Sequence, residues 1–181
     1  MNVKKIRLQL YFICLAVFNF LYALLFLWFI RSFLLRLTGT KTGKRSCVQR
    51  VRFFGFGSLI IGNNSVINSG CYLDNRRGII IGNNVVIAHD TKIYTLGHDV
   101  NDPSFKTKGG KVVIEDYVII FSNVLIMPGV RIKKGAVILP GSVVTKDVEE
   151  MMITGGNPAR TVKVREVLHL NKEPYNYWFS I

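Results

Sequence analysis

The chain has 181 residues and a mass of 20.5 kDa, which suffices for one domain and a short appendage. Its 24 Lys and Arg outweigh its 11 Asp and Glu. Its three scattered cysteines do not suggest a disulfide framework, and they fit a reducing compartment. The basic excess would suit a nucleic-acid-binding surface, but it has no recognisable nucleic-acid motif and lies beside an apolar segment. We therefore expect no nucleic-acid partner.

The first predicted element is a membrane-anchoring hydrophobic helix in residues 1–31. Residues 8–30 carry no charge, and a helix of that length measures about 34 Å, against a hydrocarbon core of about 30 Å. The stretch is too long for the apolar region of a signal peptide, roughly 7 to 15 residues, and no small-x-small cleavage site follows it. A retained, spanning anchor is therefore predicted; the alternatives are a helix that lies in the interface or re-enters on the same side.

Basic residues bracket this segment, and no acidic residue precedes Asp74. The positive-inside rule then predicts that the rest of the chain faces the cytoplasm. Anionic lipid headgroups are the expected partner of these charges, at about 1 kcal/mol for each Lys or Arg near the surface. Residues 32–52 are predicted to be a basic connector, because the Thr- and Gly-rich stretch 38–44 is typical of a loop.

The region from 53 to 154 repeats with a period of six. Neither a helix, with a period of about 3.6, nor a half-buried strand, with a period of about 2, generates that spacing, so a solenoid is predicted. Each hexad is one short strand and one turn, with Asn and Gly at corners where positive φ is tolerated. Stacking the coils should bury the aliphatic positions in one interior column. These positions are Ile61, Ile67, Leu73, Ile81, Ile87, Ile93, Ile114, Ile120, Ile126, Ile132, Ile138 and Val144.

The period is interrupted between Ile93 and Ile114. A solenoid accommodates an insertion by extruding it as a loop, usually on the binding face, so residues 97–111 are predicted to form such a loop. The loop begins with Gly-His-Asp. A histidine, with an ordinary pKa of about 6.5, is suited to general-base catalysis, and His98 is the candidate base. Asp99 could orient the imidazole or cap the loop.

Several motifs together resemble the hexapeptide-repeat acyltransferases over roughly residues 58–165. They are the hexads, the Gly-His-Asp loop, the run from Pro140 to Val148, and the sequence Gly-Asn-Pro-Ala-Arg at 156–160. The resemblance is strongest to the maltose and galactoside acetyltransferase branch and to the polysaccharide O-acetyltransferases. It implies an all-β fold, a left-handed parallel β-helix behind the N-terminal helix. It also implies a homotrimer that holds acetyl-CoA between neighbouring subunits and uses no metal.

The resemblance further implies roles for single residues. His98 matches the catalytic histidine, and Asn68 matches the asparagine that could stabilise the oxyanion. Residues 155–181 are then a coenzyme-contacting segment and an aromatic tail. Ile119, Phe121 and Pro140 depart from the Trp, Gly and small residue usual in the family, which should reshape the pantetheine channel. The positions that match coenzyme contacts are Ser122, Pro140, Thr145, Lys146, Arg160 and Lys163.

These features predict an acetyl-CoA-dependent O-acetyltransferase acting on a sugar hydroxyl. An anchor at the cytoplasmic membrane favours a membrane-bound acceptor, such as a cell-surface polysaccharide or its lipid-linked precursor. Alternatives are a non-catalytic scaffold and an acyltransferase for serine or lipid A. A zinc carbonic anhydrase would need three converging histidines, and the third histidine of this chain, His169, lies in the tail.

Overall fold

The computed structural model describes residues 3–167, apart from the side chain of Trp28. Two helices, α1 (Val3–Leu24) and α2 (Trp28–Leu37), precede a solenoid of short parallel strands. The aromatic tail cluster and His169 lie outside the described residues.

The strands form three faces of a triangular prism, as expected for a left-handed parallel β-helix. Face 1 contains β1 (Lys41–Thr42), β4 (Leu59–Ile61), β7 (Ile79–Ile81), β12 (Val112–Ile114) and β15 (Arg131–Ile132). Face 2 contains β2 (Cys47–Val48), β5 (Val66–Ile67), β8 (Val86–Ile87), β13 (Ile119–Ile120), β16 (Val137–Ile138) and β18 (Met152–Gly156), with β19 (Ala159–Val164) antiparallel to β18. Face 3 contains β3 (Arg52–Phe53), β6 (Tyr72–Leu73), β9 (Lys92–Ile93), β14 (Leu125–Ile126) and β17 (Val143–Val144).

The interior column predicted from the six-residue period is present. Ile67, Ile87 and Ile120 stack in register on face 2, and none of the three is exposed to solvent. At the corners, Asn64 and Asn84 adopt φ of 54° and 56°, and the Asn64 amide donates a 2.8 Å hydrogen bond to the Asn84 side chain. The Asn-rich corners therefore serve both the turn and the contact between coils.

The solenoid begins before the predicted boundary at residue 53. Strands β1, β2 and β3 lie within or overlap the segment predicted to be a basic connector, and they pair in parallel with β4, β5 and β6. The interior positions of this first coil are Thr42, Val48 and Phe53. Only Val48 is aliphatic, which explains why the hexad pattern misses the coil.

The predicted hydrophobic helix is broken in two. The backbone of Leu27 is extended, with φ −88° and ψ 119°, and α2 starts after it. The side chain of Arg31 is fully buried, and its Nε donates to the carbonyl oxygen of Leu25, which lies at the break. By length and composition α1 alone is still long and apolar enough to cross a membrane, and 17% of its most apolar window is buried.

Both helices cover the first coil. Phe53 lies on the outermost strand of face 3, so its backbone groups have no neighbouring strand on one side. The Asn19 side chain replaces that strand: its oxygen accepts from the Phe53 N–H at 2.8 Å, and its amide donates to the Phe53 carbonyl at 2.9 Å. The Tyr22 hydroxyl likewise donates to the Val48 carbonyl at 3.0 Å. The helices thus cap the open end of the prism.

Neighbouring isoleucines of β4 provide a test of the interior column. Ile61 is 3% exposed and Ile60 is 36% exposed. We expect Ile61→Ala to lower the free energy of unfolding by about 2–5 kcal/mol, because it leaves a cavity in the column. Ile60→Ala should cost less than about 1 kcal/mol. Denaturant unfolding measures both, and equal costs would contradict the inward and outward assignment.

Candidate active site

The loop predicted at 97–111 is an antiparallel β-hairpin. Its strands are β10 (Leu96–His98) and β11 (Thr107–Gly109), and His98 pairs with Thr107. The hairpin leaves the solenoid after β9, at the edge between faces 3 and 1, which we call the 3–1 edge. It projects from the third coil of the prism.

The imidazole of His98 is held by its own hairpin. Its Nδ1 lies 2.7 Å from the carbonyl oxygen of Phe105, and its ring stacks on the Phe105 ring with centroids 4.3 Å apart and an angle of 4° between planes. A carbonyl oxygen only accepts hydrogen bonds, so Nδ1 carries the proton. The lone pair of the neutral imidazole is therefore on Nε2, which is the form needed to take a proton from a substrate.

Asp99 does not orient the imidazole. Its carboxylate accepts hydrogen bonds from Lys108 Nζ at 2.9 Å and from the backbone N–H of Asn101 at 3.1 Å. The bond from Lys108 is the main reason that the pKa of Asp99 lies below its ordinary value. Of the two roles left open by the sequence, the structure supports closure of the loop.

Asp74, which was not among the residues predicted from the sequence, organises the root of the hairpin. Its carboxylate is 1% exposed and accepts two bonds from the guanidinium of Arg76, at 2.8 and 3.0 Å. It also lies 3.3 Å from the backbone nitrogen of Leu96, the first residue of β10. The Arg76 guanidinium in turn lies 4.7 Å above the Phe54 ring. The sequence feature that could have indicated Asp74 is a carboxylate directly after the interior position Leu73.

Predicted donor-side residues lie further along the same edge. Thr145 and Lys146 follow β17, two coils beyond β9 on face 3. Lys146 and Arg160 line one cavity of about 250 Å³. A second cleft, of about 430 Å³, contains His98 and is bordered by Pro128 of the intervening coil. The third predicted cation, Lys163, is exposed on β19 opposite Ile153 and does not line the first cavity.

Three other predicted residues lie on a different edge, between faces 2 and 3, which we call the 2–3 edge. Asn68 directly follows β5, and Ser122 and Pro140 lie two residues after β13 and β16. All three are therefore at the same corner of stacked coils. The Gly141 N–H donates to the Ser122 carbonyl at 3.0 Å, which joins two of these corners. The structure therefore does not bring Asn68 and His98 together within one chain.

The 2–3 edge also carries a basic cavity near the helical cap. It has a volume of about 580 Å³, and its lining includes Arg50, Arg52, His89 and Ala23 of α1. His89 lies on this edge and His98 on the 3–1 edge, so the two histidines do not converge. Within residues 3–167 no group of three His, Cys, Asp or Glu side chains could hold a metal ion.

Comparisons with known proteins agree with the repeat. The family described as bacterial transferase hexapeptide (six repeats) matches residues 111–146. The galactoside O-acetyltransferase of Escherichia coli is 31% identical over 144 residues, which cover 76% of this chain and 68% of that protein. The chain belongs to the hexapeptide-repeat acyltransferase family. It spans about half to two thirds of the length of the curated relatives that it matches.

Solved structures show the same fold. A hexapeptide-repeat acetyltransferase from Vibrio cholerae, in complex with acetyl coenzyme A, has a TM-score of 0.78 and 28% identity, covering 84% of this chain and 86% of that one. A maltose O-acetyltransferase from Clostridium difficile has a TM-score of 0.64 and 26% identity, covering 84% and 85%. The fold class and the family predicted from the hexads are therefore confirmed.

Removal of the Asp74 charge should weaken the root of the hairpin. Hydrogen bonds to charged groups are each worth about 1.5–3 kcal/mol, so we expect Asp74→Asn to lower the free energy of unfolding by about that amount. Glu149→Gln is the matched control, because the 63% exposed Glu149 forms only a surface ion pair with Lys133. It should cost less than about 1 kcal/mol. Equal losses in thermal unfolding would contradict the structural role of Asp74.

Proposed function

We propose that the protein is an acetyl-CoA-dependent O-acetyltransferase whose acceptor is a sugar hydroxyl. The observation that carries this proposal is the imidazole of His98, whose Nδ1–H is bound to the Phe105 carbonyl. That bond leaves Nε2 as a proton acceptor beside a cleft. The galactoside and maltose O-acetyltransferases among the relatives support the choice of a sugar.

His98 acts as general base and then as general acid. Its Nε2 takes the proton of the acceptor hydroxyl while the oxygen attacks the thioester carbonyl, because an alcohol is a weak nucleophile at neutral pH. The tetrahedral intermediate collapses with cleavage of the carbon–sulfur bond. The imidazolium returns the proton to the departing sulfur, so the products are the O-acetyl ester and the free thiol of coenzyme A.

The donor lies along the 3–1 edge in this proposal. Lys146 and Arg160 place two cations in one cavity, which fits the phosphate groups of a coenzyme. His98 lies two coils closer to the cap, at the acyl end. The acetyl-CoA complex of the Vibrio cholerae relative supports the choice of donor.

The active site is completed by a neighbouring subunit. His98 is on the 3–1 edge and Asn68 on the 2–3 edge, so a base and an oxyanion donor would meet where different edges of adjacent prisms face each other. A closed threefold ring makes three identical contacts of this heterologous type. The homotrimer expected from the family resemblance therefore brings His98 of one chain to Asn68 of the next.

Replacement of His98 tests the catalytic proposal. With acetyl-CoA and a panel of galactosides, maltose and lipid-linked glycans, we expect His98→Ala to lower the rate of thiol release by about 10²- to 10⁴-fold. Asp99→Asn should lower it less than about fivefold, because the amide oxygen can still accept from the Asn101 N–H and the ion pair that is lost is with the 73% exposed Lys108. If His98→Ala retained the wild-type rate, or if the wild type released no thiol with any acceptor, the non-catalytic scaffold would be favoured.

Subunit mixing tests the shared site. Asn68→Ala is expected to lower the rate by about 10²- to 10³-fold, as for loss of an oxyanion-hole donor. Coexpression of His98→Ala and Asn68→Ala chains should restore part of the activity, because each mixed trimer contains one site with both residues intact. If both residues act within one chain, mixing restores nothing.

A further inference from the structure

The outer surface of the helical cap is apolar. Leu10, Ile13, Val17 and Phe20 follow one another at helical spacing on α1, and their side chains are 55%, 58%, 52% and 65% exposed. These residues lie on the side opposite Leu15 and Tyr22, which are buried against the first coil. The helix α1 therefore has two apolar faces, of which the solenoid covers one.

The second helix extends this surface. Phe29, Phe33 and Leu37 are 51%, 62% and 68% exposed, while Leu35 of the same helix is buried against the solenoid. Terminal caps of solenoids normally present a polar outer face, which keeps the protein soluble. A large exposed apolar surface in this position indicates that the helices bind a partner in addition to the solenoid.

Positive charge occurs on the same elements as the apolar surface and on the coil that they cover. On α2 and the first coil the side chains of Arg36, Lys41, Lys44, Arg45, Arg50 and Arg52 are all exposed. All 11 acidic residues of the chain occur from Asp74 onward, beyond the first coil. The capped end of the prism is thus purely cationic, which complements an anionic surface.

The attachment of α1 to the solenoid limits how it can meet a bilayer. Its contacts with the first coil run from Tyr11, whose hydroxyl accepts from the Phe56 N–H at 3.0 Å, to Tyr22. This length corresponds to about 17 Å of helix axis. A spanning helix would have to pull the exposed Arg50 and Arg52 into the hydrocarbon, where charged side chains are costly.

We propose that α1 and α2 lie in the plane of the membrane interface, with their apolar faces in an anionic leaflet and the solenoid standing on its capped end. The proposal does not rest on the catalytic function. It replaces the spanning anchor by one of the alternatives that the sequence left open. An amphipathic helix in the interface has this arrangement of apolar face and flanking basic charge.

The proposed orientation sets the height of the candidate active site. The His98 hairpin leaves the third coil, two strand spacings of about 4.8 Å from the first, and the cap adds a helix diameter of about 10 Å. The hairpin root then lies about 20 Å above the apolar face of the cap. A sugar carried on a lipid headgroup can reach a site at that height above the membrane. For a soluble acceptor, the proposed orientation offers no advantage.

Vesicle cosedimentation of the full chain tests the partner. We expect binding to vesicles that contain phosphatidylglycerol and much weaker binding to pure phosphatidylcholine. Ile13→Ser combined with Phe20→Ser should weaken binding about a hundredfold, and Arg50→Gln and Arg52→Gln about fivefold each. Val162→Ser is the matched control, because Val162 is 61% exposed but lies on β19, and it should have no effect.

One result would overturn the lipid partner: the Ile13→Ser, Phe20→Ser double variant binds the anionic vesicles as the wild type does. If the same variant also loses subunit assembly in solution, the apolar surface is assigned to a second copy of the chain. Denaturant unfolding reports whether the double variant is folded, without reference to the catalytic function.

Cysteine labelling distinguishes an in-plane helix from a spanning one. The background is Cys14→Ser, because Cys14 is exposed, whereas Cys47 and Cys71 are buried and burial raises the pKa of their thiols to about 11 and about 12. Lys5→Cys is then treated with a membrane-impermeant maleimide in right-side-out and inverted vesicles from expressing cells. The solenoid variant Lys111→Cys reports the sidedness of each preparation.

An in-plane helix keeps residue 5 on the same side of the membrane as the solenoid. We therefore expect Lys5→Cys and Lys111→Cys to be labelled in the same preparation, the inverted vesicles. Labelling of Lys5→Cys in right-side-out vesicles, while Lys111→Cys is protected there, would show that α1 spans the bilayer and would overturn the proposal.

Discussion

The structure depends on burying the aliphatic position of every hexad along a single axis. Because each coil contacts only the coils before and after it, the column has no centre and must be closed at its ends. Each interior isoleucine contributes roughly 1.5–3 kcal/mol, and the corners must turn tightly enough to keep the strands in register. A Cβ at Gly62 would lie 2.6 Å from the carbonyl carbon of Gly82, so the corner of face 1 requires glycine for close stacking. Everything outside the column, including the hairpin and the cap, is positioned by it.

The sequence predicted the column and its interruption, because period six is incompatible with other regular structures. It failed at the first coil, where Thr42 and Phe53 take interior positions and the spacing from Val48 to Phe53 is five instead of six. Phe53 is accommodated there because Phe18 and Tyr22 of α1 pack on its ring, with centroids 5.7 and 5.5 Å away. An aromatic residue at that position makes sense only with the cap present, which no pattern within the hexads can reveal.

In the candidate site, too, some residues could be predicted from the sequence and others could not. His98 could be found from the sequence because an insertion in a regular repeat is conspicuous. Its partner could not, since the Phe105 group that binds Nδ1 is a backbone carbonyl seven residues away and carries no side-chain signature. Asp99, the neighbour in sequence, was the more obvious candidate but instead binds Lys108 across the hairpin. The separation of Asn68 from His98 likewise depends on which corner of the prism each residue occupies, which only the register of the coils determines.

The Asn19 side chain has a consequence beyond the packing of the cap. A parallel solenoid ends in exposed strands that could recruit an identical strand from another molecule, and repetition of that step would build a fibre. By occupying both the N–H and the carbonyl of Phe53, one amide removes the hydrogen-bonding template at that strand. Face 3 is thereby protected from edge-to-edge polymerisation at its first strand.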